Sequence, residues 1–458
     1  MPLENELLMT GVDPTGGAGK PRGKLRGFLH QSMRSKLLRN IITVVSGTAG
    51  AQAMTMAFMP VITRLYGPEA YGILGAFMSL TLMIIPIAAL TYPVAIVLPK
   101  RDADARGLVK LSLMIAVVLA SLMALVLGLF GTPIVHLMGL EEISPYLMLL
   151  PVVMFFGAAL EVVQQWLIRQ QRFSLTASIA IAHSLLHNSI RTLGGFLMAI
   201  PAVLVITTAL GPALQAVMLA IGIRRTRDRA DAVVDLEPPM SSGELARRYS
   251  DFPLFRFPQM LINTVSQNLP TLVLASVFGP AAAGFFTVCK QALSMPTNLI
   301  GKSVADVYYP RISQAIQRHE PITSMLAKAT AGLALVGLLP FGFVFLAGPW
   351  LFALVFGEQW HTAGEFARWL ALSEYVVLIT RPCTVAIPAL QLQGRFLIFE
   401  MLSTALRLGA LFFGAWVMKD ALITVMAFAG ASVLIYVALI VSVLIAANNH
   451  RPSSTAAH

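Results

Sequence analysis

Apolar residues run along this chain in long, nearly unbroken stretches, not in the alternation of half-buried strands or the every-third-or-fourth stripe of soluble helices. A bilayer core about 30 Å thick needs about 20 apolar residues in a helix, because every backbone amide must be satisfied internally where water is absent. Twelve stretches meet that demand. In the first half the pattern predicts helices over 41–61, 71–98, 108–130, 146–167, 173–198 and 201–223. In the second half it predicts 255–278, 281–304, 325–346, 366–389, 396–418 and 421–447. The fifth is interrupted by His183, His187 and Arg191, and the fourth carries Glu161. The fold class expected is therefore all-α integral membrane.

Composition agrees and excludes an ordinary soluble enzyme. Of 458 residues, 57% are apolar and only 12% charged, against roughly 25% charged in soluble domains. The formal net charge of +11 would elsewhere suggest a nucleic-acid partner. Here the basic residues sit between the apolar runs, so a membrane explanation comes first and no nucleic-acid partner is expected. With the amino terminus placed in the cytoplasm, twenty-five of the 33 Lys and Arg fall on cytoplasmic segments, and only Arg64 and Lys419 fall opposite. That bias predicts both termini in the cytoplasm and an even number of spans. Residues 1–40 read as a retained, flexible basic tail, since no short apolar core and cleavage site follow the charges. Two cysteines, Cys289 and Cys383, cannot build a disulfide framework or a zinc ribbon.

The charged stretch 224–250 divides the chain into lobes of six predicted helices, 41–223 and 251–447, with a cytoplasmic tail at 448–458. Each lobe opens alike. Tyr66-Gly67-Pro68 with Gly72 corresponds to Phe278-Gly279-Pro280 with Gly284, at an offset of 212 residues. Gln171-Arg172-Phe173 corresponds to Gly394-Arg395-Phe396, at an offset of 223. Two parallel six-helix bundles around a central cavity follow from such a repeat, a layout transporters use to rock about a site near the bilayer midplane.

The run Ser46-Gly47-Thr48-Ala49, then 60–68 (Pro60-Val61-Ile62-Thr63-Arg64-Leu65-Tyr66-Gly67-Pro68) with Tyr71-Gly72, resembles the opening of O-antigen-type polysaccharide-biosynthesis flippases. Ala95-Ile96-Val97-Leu98-Pro99-Lys100, Asp251-Phe252-Pro253, Leu269-Pro270 and Phe278-Gly279 are similar to the same family. That family belongs to the multidrug, oligosaccharidyl-lipid and polysaccharide exporter superfamily. The resemblance implies two six-helix lobes opening alternately to either side of a bacterial inner membrane. It implies lipid-linked oligosaccharide as cargo, namely saccharide repeat units on undecaprenyl pyrophosphate, with membrane lipids and other polysaccharide assembly proteins as partners.

Charges inside the spans are costly and call for a functional account. Arg191, Lys290, Arg381 and Arg407 lie within spans five, eight, ten and eleven. They are expected to face the cavity and hold the pyrophosphate, since guanidinium and ammonium groups suit phosphate oxygens. The bland alternative is that each snorkels or pairs locally. His183 and His187 share a helical face with Arg191 and read as an interior polar stripe, with sugar contact or proton-sensitive gating left open. Glu374 and Glu161 are candidates for ion coupling or for interior pairing. Glu374 lies seven residues, about 10 Å, from Arg381, too far for a direct pair along a straight helix. Arg64 is expected to anchor at the interface or cap a turn, and Gly47 with Ala51 to permit close helix packing.

Asp102-Ala103-Asp104 superficially resembles a glycosyltransferase metal-binding pair, but its short basic loop argues against catalysis. No glycine loop ending in Lys-Ser or Lys-Thr is present, so no ATPase is carried. No enzyme activity, metal or cofactor is expected. The leading expectation is a non-enzymatic flippase for cell-surface polysaccharide assembly. An organic-cation or multidrug antiporter is the main alternative; a peptidoglycan-precursor flippase and a membrane polymerase or ligase are weaker ones.

Overall fold

The computed structural model describes residues 36–225, 240–318, 320, 322–390 and 392–449. The amino-terminal tail, most of the charged central stretch and the carboxy-terminal tail lie outside the described residues. Among the described residues there is no strand.

Twelve long helices are present among them, and each predicted apolar run falls on one. In the first half they are α1 (Lys36–Leu65), α2 (Pro68–Ala88), α3 (Asp102–Met138), α4 (Leu149–Arg169), α5 (Phe173–Leu197) and α6 (Pro201–Arg225). In the second half they are α7 (Phe257–Phe278), α8 (Pro280–Gln317), α9 (Ile322–Phe356), α10 (His361–Ala389), α11 (Gln393–Phe412) and α12 (Ala421–Asn449). Nine helical stretches, on all but α1, α5 and α8, are long and apolar enough to cross a membrane by length and composition among the described residues. Their outer faces carry large apolar side chains in the open, such as Leu339 on α9 at 79% exposure, as expected where lipid is the solvent.

The second run ends differently from its prediction. The helix stops at Ala88, Leu90 and Thr91 take left-handed backbone, and Pro93 opens a 3-10 turn, Tyr92–Val97. Proline supplies no N–H and its ring blocks a continuing helix, so one long apolar run becomes a long helix plus a short 3-10 turn packed at the basic end.

The packing of the halves is uneven from end to end. Where α1 meets α2, α7 meets α8 and α9 meets α10, one shared core joins Met59, Tyr66 and Phe77 of the first half to Leu274, Phe286 and Trp360 of the second. At the opposite, basic end each half has its own core. Ile312, Leu326, Cys383 and Leu439 form one, and Tyr92, Ile96, Leu108 and Leu245 the other. The halves are thus sealed together at one end and separately packed at the other.

The sequence repeat explains the seal. A Cβ on Gly72 would stand 1.7 Å from the carbonyl oxygen of Pro280, and one on Gly284 would stand 2.0 Å from that of Pro68. The two copies of the Pro-x3-Gly opening therefore interlock reciprocally, each glycine admitting the other half's backbone. In lipid, apolar burial gives helices little reason to associate, so close approach through small residues carries the packing. Around this seam Trp360, fully buried, donates its indole N–H to the Thr63 carbonyl at 2.9 Å and meets Tyr71 edge-on at 5.4 Å. Arg64 caps the end of α9, donating to the Leu354 carbonyl at 2.7 Å. The turn-capping expectation for Arg64 thus takes a specific form, reaching across to the other half. Gly47 packs against Ala177 of α5, where a Cβ would come within 2.3 Å of the alanine Cβ.

At the basic end the stretch expected to be a linker is partly docked. A short helix, Ser242–Arg248, opens with a capping box between Ser241 and Glu244. Its Leu245 is buried against the first half. The Met240 N–H bonds Asp104 at 3.1 Å, and the Tyr92 hydroxyl donates to the Ala246 carbonyl. Asp102 accepts two bonds from Arg169, at 2.9 and 2.7 Å. The Asp-Ala-Asp motif is thus structural: one carboxylate clamps the end of α4 and the other holds the connection between halves.

Candidate functional site

Between the halves lies a cavity of about 700 Å³. Its wall from the first half is small and mostly apolar: Gly75, Met78, Ser79 and Leu82 of α2. The second half supplies the charge. Lys290 of α8, Glu374 and Arg381 of α10, and Glu400 and Arg407 of α11 all line it. Three cations therefore share the cavity with two carboxylates.

None of the three cations is fully satisfied by a carboxylate. Lys290 donates to the Gln267 carbonyl and lies 6.0 Å from the Phe286 ring centre. Arg381 donates to Asn298 Oδ1 at 3.1 Å and packs against Gly301, where a Cβ would stand 2.7 Å from its Nε. Arg407 is only 3% exposed. It lies 3.7 Å from Glu400 Oε1, with its guanidinium 5.3 Å from the Tyr436 ring centre. The Nε atoms of both arginines are buried without a hydrogen-bond partner. A buried donor left unmade costs about 1–3 kcal/mol, more when charged, so such groups mark either strain or a place for a ligand's acceptor. Glu374 is hydrogen-bonded to Thr297, with Lys290 and Arg381 as its charged neighbours. As the helical spacing required, it does not pair directly with Arg381.

The remaining expected residues lie elsewhere. Arg191 is not among the side chains lining this cavity. It sits between α5 and α6, where its guanidinium donates to the hydroxyls of Thr207 and Thr208, and its own carbonyl accepts the Tyr66 hydroxyl at 2.9 Å. His183 and His187 stack with ring centres 5.4 Å apart, and their Nε2 atoms bond the Gly211 and Thr207 carbonyls at 3.1 Å each. On the other side of α5, Ser184 and Asn188 bond to Ala51 and Thr55 of α1. The stripe is an interior helix-to-helix seam. Glu161 lies on α4, away from the cavity lining, with Arg256 as its charged neighbour.

Side-chain amides were overlooked in the sequence. Asn263, Gln267 and Asn268 of α7 and Gln291 and Asn298 of α8 all line the cavity. Their signal was available: Asn263 and Gln267 are four residues apart, and Gln291 and Asn298 are seven apart, each pair on one helical face. Tyr436 of α12, among Arg407, Glu400, Glu374 and Arg381, was missed as well. Among the described residues no cluster of His, Cys, Asp and Glu is arranged to hold a metal ion.

Two halves of six long helices, sealed at one end around a polar cavity, define a multi-pass membrane transporter fold. A solved multidrug-resistance transporter of the MATE family of the MOP superfamily, in its inward-facing conformation, superposes with a TM-score of 0.69. It is 12% identical, and the match covers 90% of this chain and 96% of that one. The lipid II flippase MurJ, in an inward closed conformation, superposes with a TM-score of 0.68 at 13% identity, over 88% of this chain and 87% of that one. These likenesses show the fold. The sequence pattern of the family described as "Polysaccharide biosynthesis protein" matches residues 61–365, and the chain belongs to that family. It is also 22% identical over 370 residues to the succinoglycan biosynthesis transport protein ExoT of Rhizobium meliloti (strain 1021), covering 78% of this chain and 69% of that protein.

Proposed function

We propose that this protein is a flippase that carries saccharide repeat units linked to undecaprenyl diphosphate across the bacterial inner membrane by alternating access. The observation that carries the reading is the pair Arg381 and Arg407, each with a buried Nε lacking a partner in a cavity where cations outnumber carboxylates. A diphosphate brings acceptor oxygens and negative charge to such donors. The amides of α7 and α8 offer both donors and acceptors, as sugar hydroxyls do, and Met78 and Leu82 give an apolar wall.

In this reading the basic end is cytoplasmic, and the separately packed ends of the halves open the cavity to that side. Transport needs binding and release without bond cleavage, so no catalytic residue is assigned. Cargo must favour the two states almost equally, because a ligand tight to one state alone would trap it. Glu374 and Glu400 lend some support to an organic-cation antiporter, but they are the minority charge.

Proteoliposomes carrying the purified protein and undecaprenyl diphosphate provide the test. The flippase moves the diphosphate headgroup to the side where an added phosphatase can reach it; an antiporter leaves it in place and exchanges ethidium for protons. In cells, deletion should accumulate lipid-linked repeat units on the cytoplasmic face.

A further inference from the structure

The two halves treat one equivalent pair of helices differently. In the first half α5 lies along α1 from end to end. A Cβ on Gly47 would come within 2.3 Å of the Ala177 Cβ, Ser184 donates to the Ala51 carbonyl at 2.8 Å, and a Cβ on Gly195 would stand 3.1 Å from Leu65. The repeat assigns the same packing to α7 and α11. Among the described residues their shared buried core lies near the sealed end, where Val273 packs with Leu411 and Ala415. Toward the basic end that contact is not continued. The α7 stripe below Val273 runs through Ser266, Ile262 and Gln259 at three- and four-residue spacing; Ile262 is 50% exposed and Gln259 is exposed as well. The α11 stripe below Leu411 runs through Thr404 and Glu400, flanked by Met401 at 58% exposure.

The sequence accounts for the difference. At the repeat offsets of 212 and 223 residues, Gly47 and Ala51 of α1 correspond to Gln259 and Asn263 of α7, and Ala177 and Ser184 of α5 correspond to Glu400 and Arg407 of α11. Small side chains let the first pair close. Longer polar ones hold the second pair apart. The result is a V-shaped slot, shut at Val273 and open at the basic end. Its inner edge is polar, since Asn263, Gln267, Glu400 and Arg407 line the cavity. Ser266 and Thr404 stand at its apex, seven residues below Val273 and Leu411 respectively. Their hydroxyls and the Arg407 Nε are all buried without a hydrogen-bond partner. The outer edge, at Ile262 and Met401, is apolar.

Resting on the flippase reading, we infer that this slot is the lateral passage for the cargo: the polyprenyl chain lies between α7 and α11 while the diphosphate is held inside, at Arg407. A cavity of about 700 Å³ suits a drug-sized headgroup and leaves no room for a polyprenyl chain as well. Headgroup and chain are one molecule, so a window closed on all sides would not admit the first without threading the second. A slot open at the cytoplasmic face lets the headgroup rise from the membrane surface into the cavity while the chain slides between the helices and stays in lipid. The polar inner edge and apolar outer edge match the two ends of that molecule. The zipped seam of α1 and α5 denies the first half the same passage.

Photocrosslinking tests the slot. A benzophenone maleimide is attached to Ile262→Cys, to Met401→Cys and, on the face of α11 turned away from α7, to Leu402→Cys. All three positions are exposed, so the substitutions spare the core, and the native Cys289 and Cys383 are buried from the reagent. Each protein is irradiated in vesicles of phosphatidylethanolamine and phosphatidylglycerol containing undecaprenyl diphosphate, and adducts are identified by mass. The slot predicts several times more undecaprenyl adduct at Ile262→Cys and Met401→Cys than at Leu402→Cys. Inorganic pyrophosphate, which competes at Arg407 and not at the lipid face, should bring the first two down to the third, and adding Arg407→Gln should do the same. Equal adducts at all three positions, or a phospholipid adduct that undecaprenyl diphosphate does not displace, would overturn the slot. Adducts that pyrophosphate leaves unchanged would overturn it too, by separating the chain from a headgroup in the cavity. Unsubstituted protein that moves no undecaprenyl diphosphate in the flipping assay would overturn the flippase reading itself, and the slot with it.

Discussion

The two halves of this protein bury polar side chains in their membrane helices to different ends. In the first half His183, His187 and Arg191 find carbonyls and hydroxyls on α6, while Ser184 and Asn188 find them on α1. Polar groups there act as glue between helices, each bond contributing modestly in lipid. In the second half Lys290, Arg381 and Arg407 face a cavity, and two of them keep an unmade donor. An intramembrane charge therefore signals function only when its neighbours leave it something to bind.

The largest way to sharpen this contrast is to remove the unmade donors. Arg407→Gln and Arg381→Gln should each abolish polysaccharide export while the protein remains in the membrane at normal abundance, read by immunoblot beside polymer yield. A wild-type yield from either would remove that residue from the site.

Next comes the seam that both halves share. Gly72→Ala and Gly284→Ala place a methyl group where the other half's carbonyl stands. Backbone cannot swing aside as a side chain can, so the seal should part and the population shift to the opposite conformer. A cysteine introduced at Ser79, labelled by a membrane-impermeant maleimide from the periplasmic side, should become reactive in these variants. Unchanged labelling would mean that the seam is not the barrier.

Breaking the first half's stripe should matter less for export. Arg191→Gln loses bonds to Thr207 and Thr208, and a lost bond of this kind costs about 1–3 kcal/mol. The expected result is a lower unfolding temperature in detergent, with export per folded molecule within about twofold of normal. Loss of export in well-folded Arg191→Gln would return that residue to the transport path.

The smallest effect is expected at the connection between halves. Ser241→Ala removes the cap of the short helix, worth about 1 kcal/mol, and should speed amide exchange over 242–248 while export holds. Hydrogen bonds from the Ser241 backbone and side chain hold the Glu244 carboxyl below its usual pKa. A depressed carboxylate pKa gives stability that is present above the ordinary value and lost as pH falls through the lowered one. Protection factors over this helix, with exchange rates corrected for their intrinsic fall toward acid, should therefore decrease at low pH, and Ser241→Ala should blunt that dependence.

Much of this was legible in the chain. The twelve apolar runs foretold the twelve long helices because a bilayer demands length and apolarity of each segment by itself. Lys290, Glu374, Arg381 and Arg407 were readable as exceptional because charge in lipid is costly wherever it faces. The Pro-x3-Gly repeat marked two equivalent turns, without showing that they meet. Arg191 looked identical in kind to the other three cations, since nothing local distinguishes an arginine aimed at threonines of a neighbouring helix from one aimed into a cavity. The amides of α7 and α8 escaped notice because neutral side chains are tolerated in membrane helices and raise no alarm singly.

By itself, then, the amino-acid order determined what each segment must be: a span, a turn, a basic connection, a rare charge. Those properties depend on the segment and its solvent, and hydropathy reports both. Tertiary structure alone decided which charges share a space, which glycines admit the other half's backbone and which donors stay unmade. These are relations between helices far apart in the chain, set by the rotation and depth at which each helix packs, and a single helix carries no record of its partner's face.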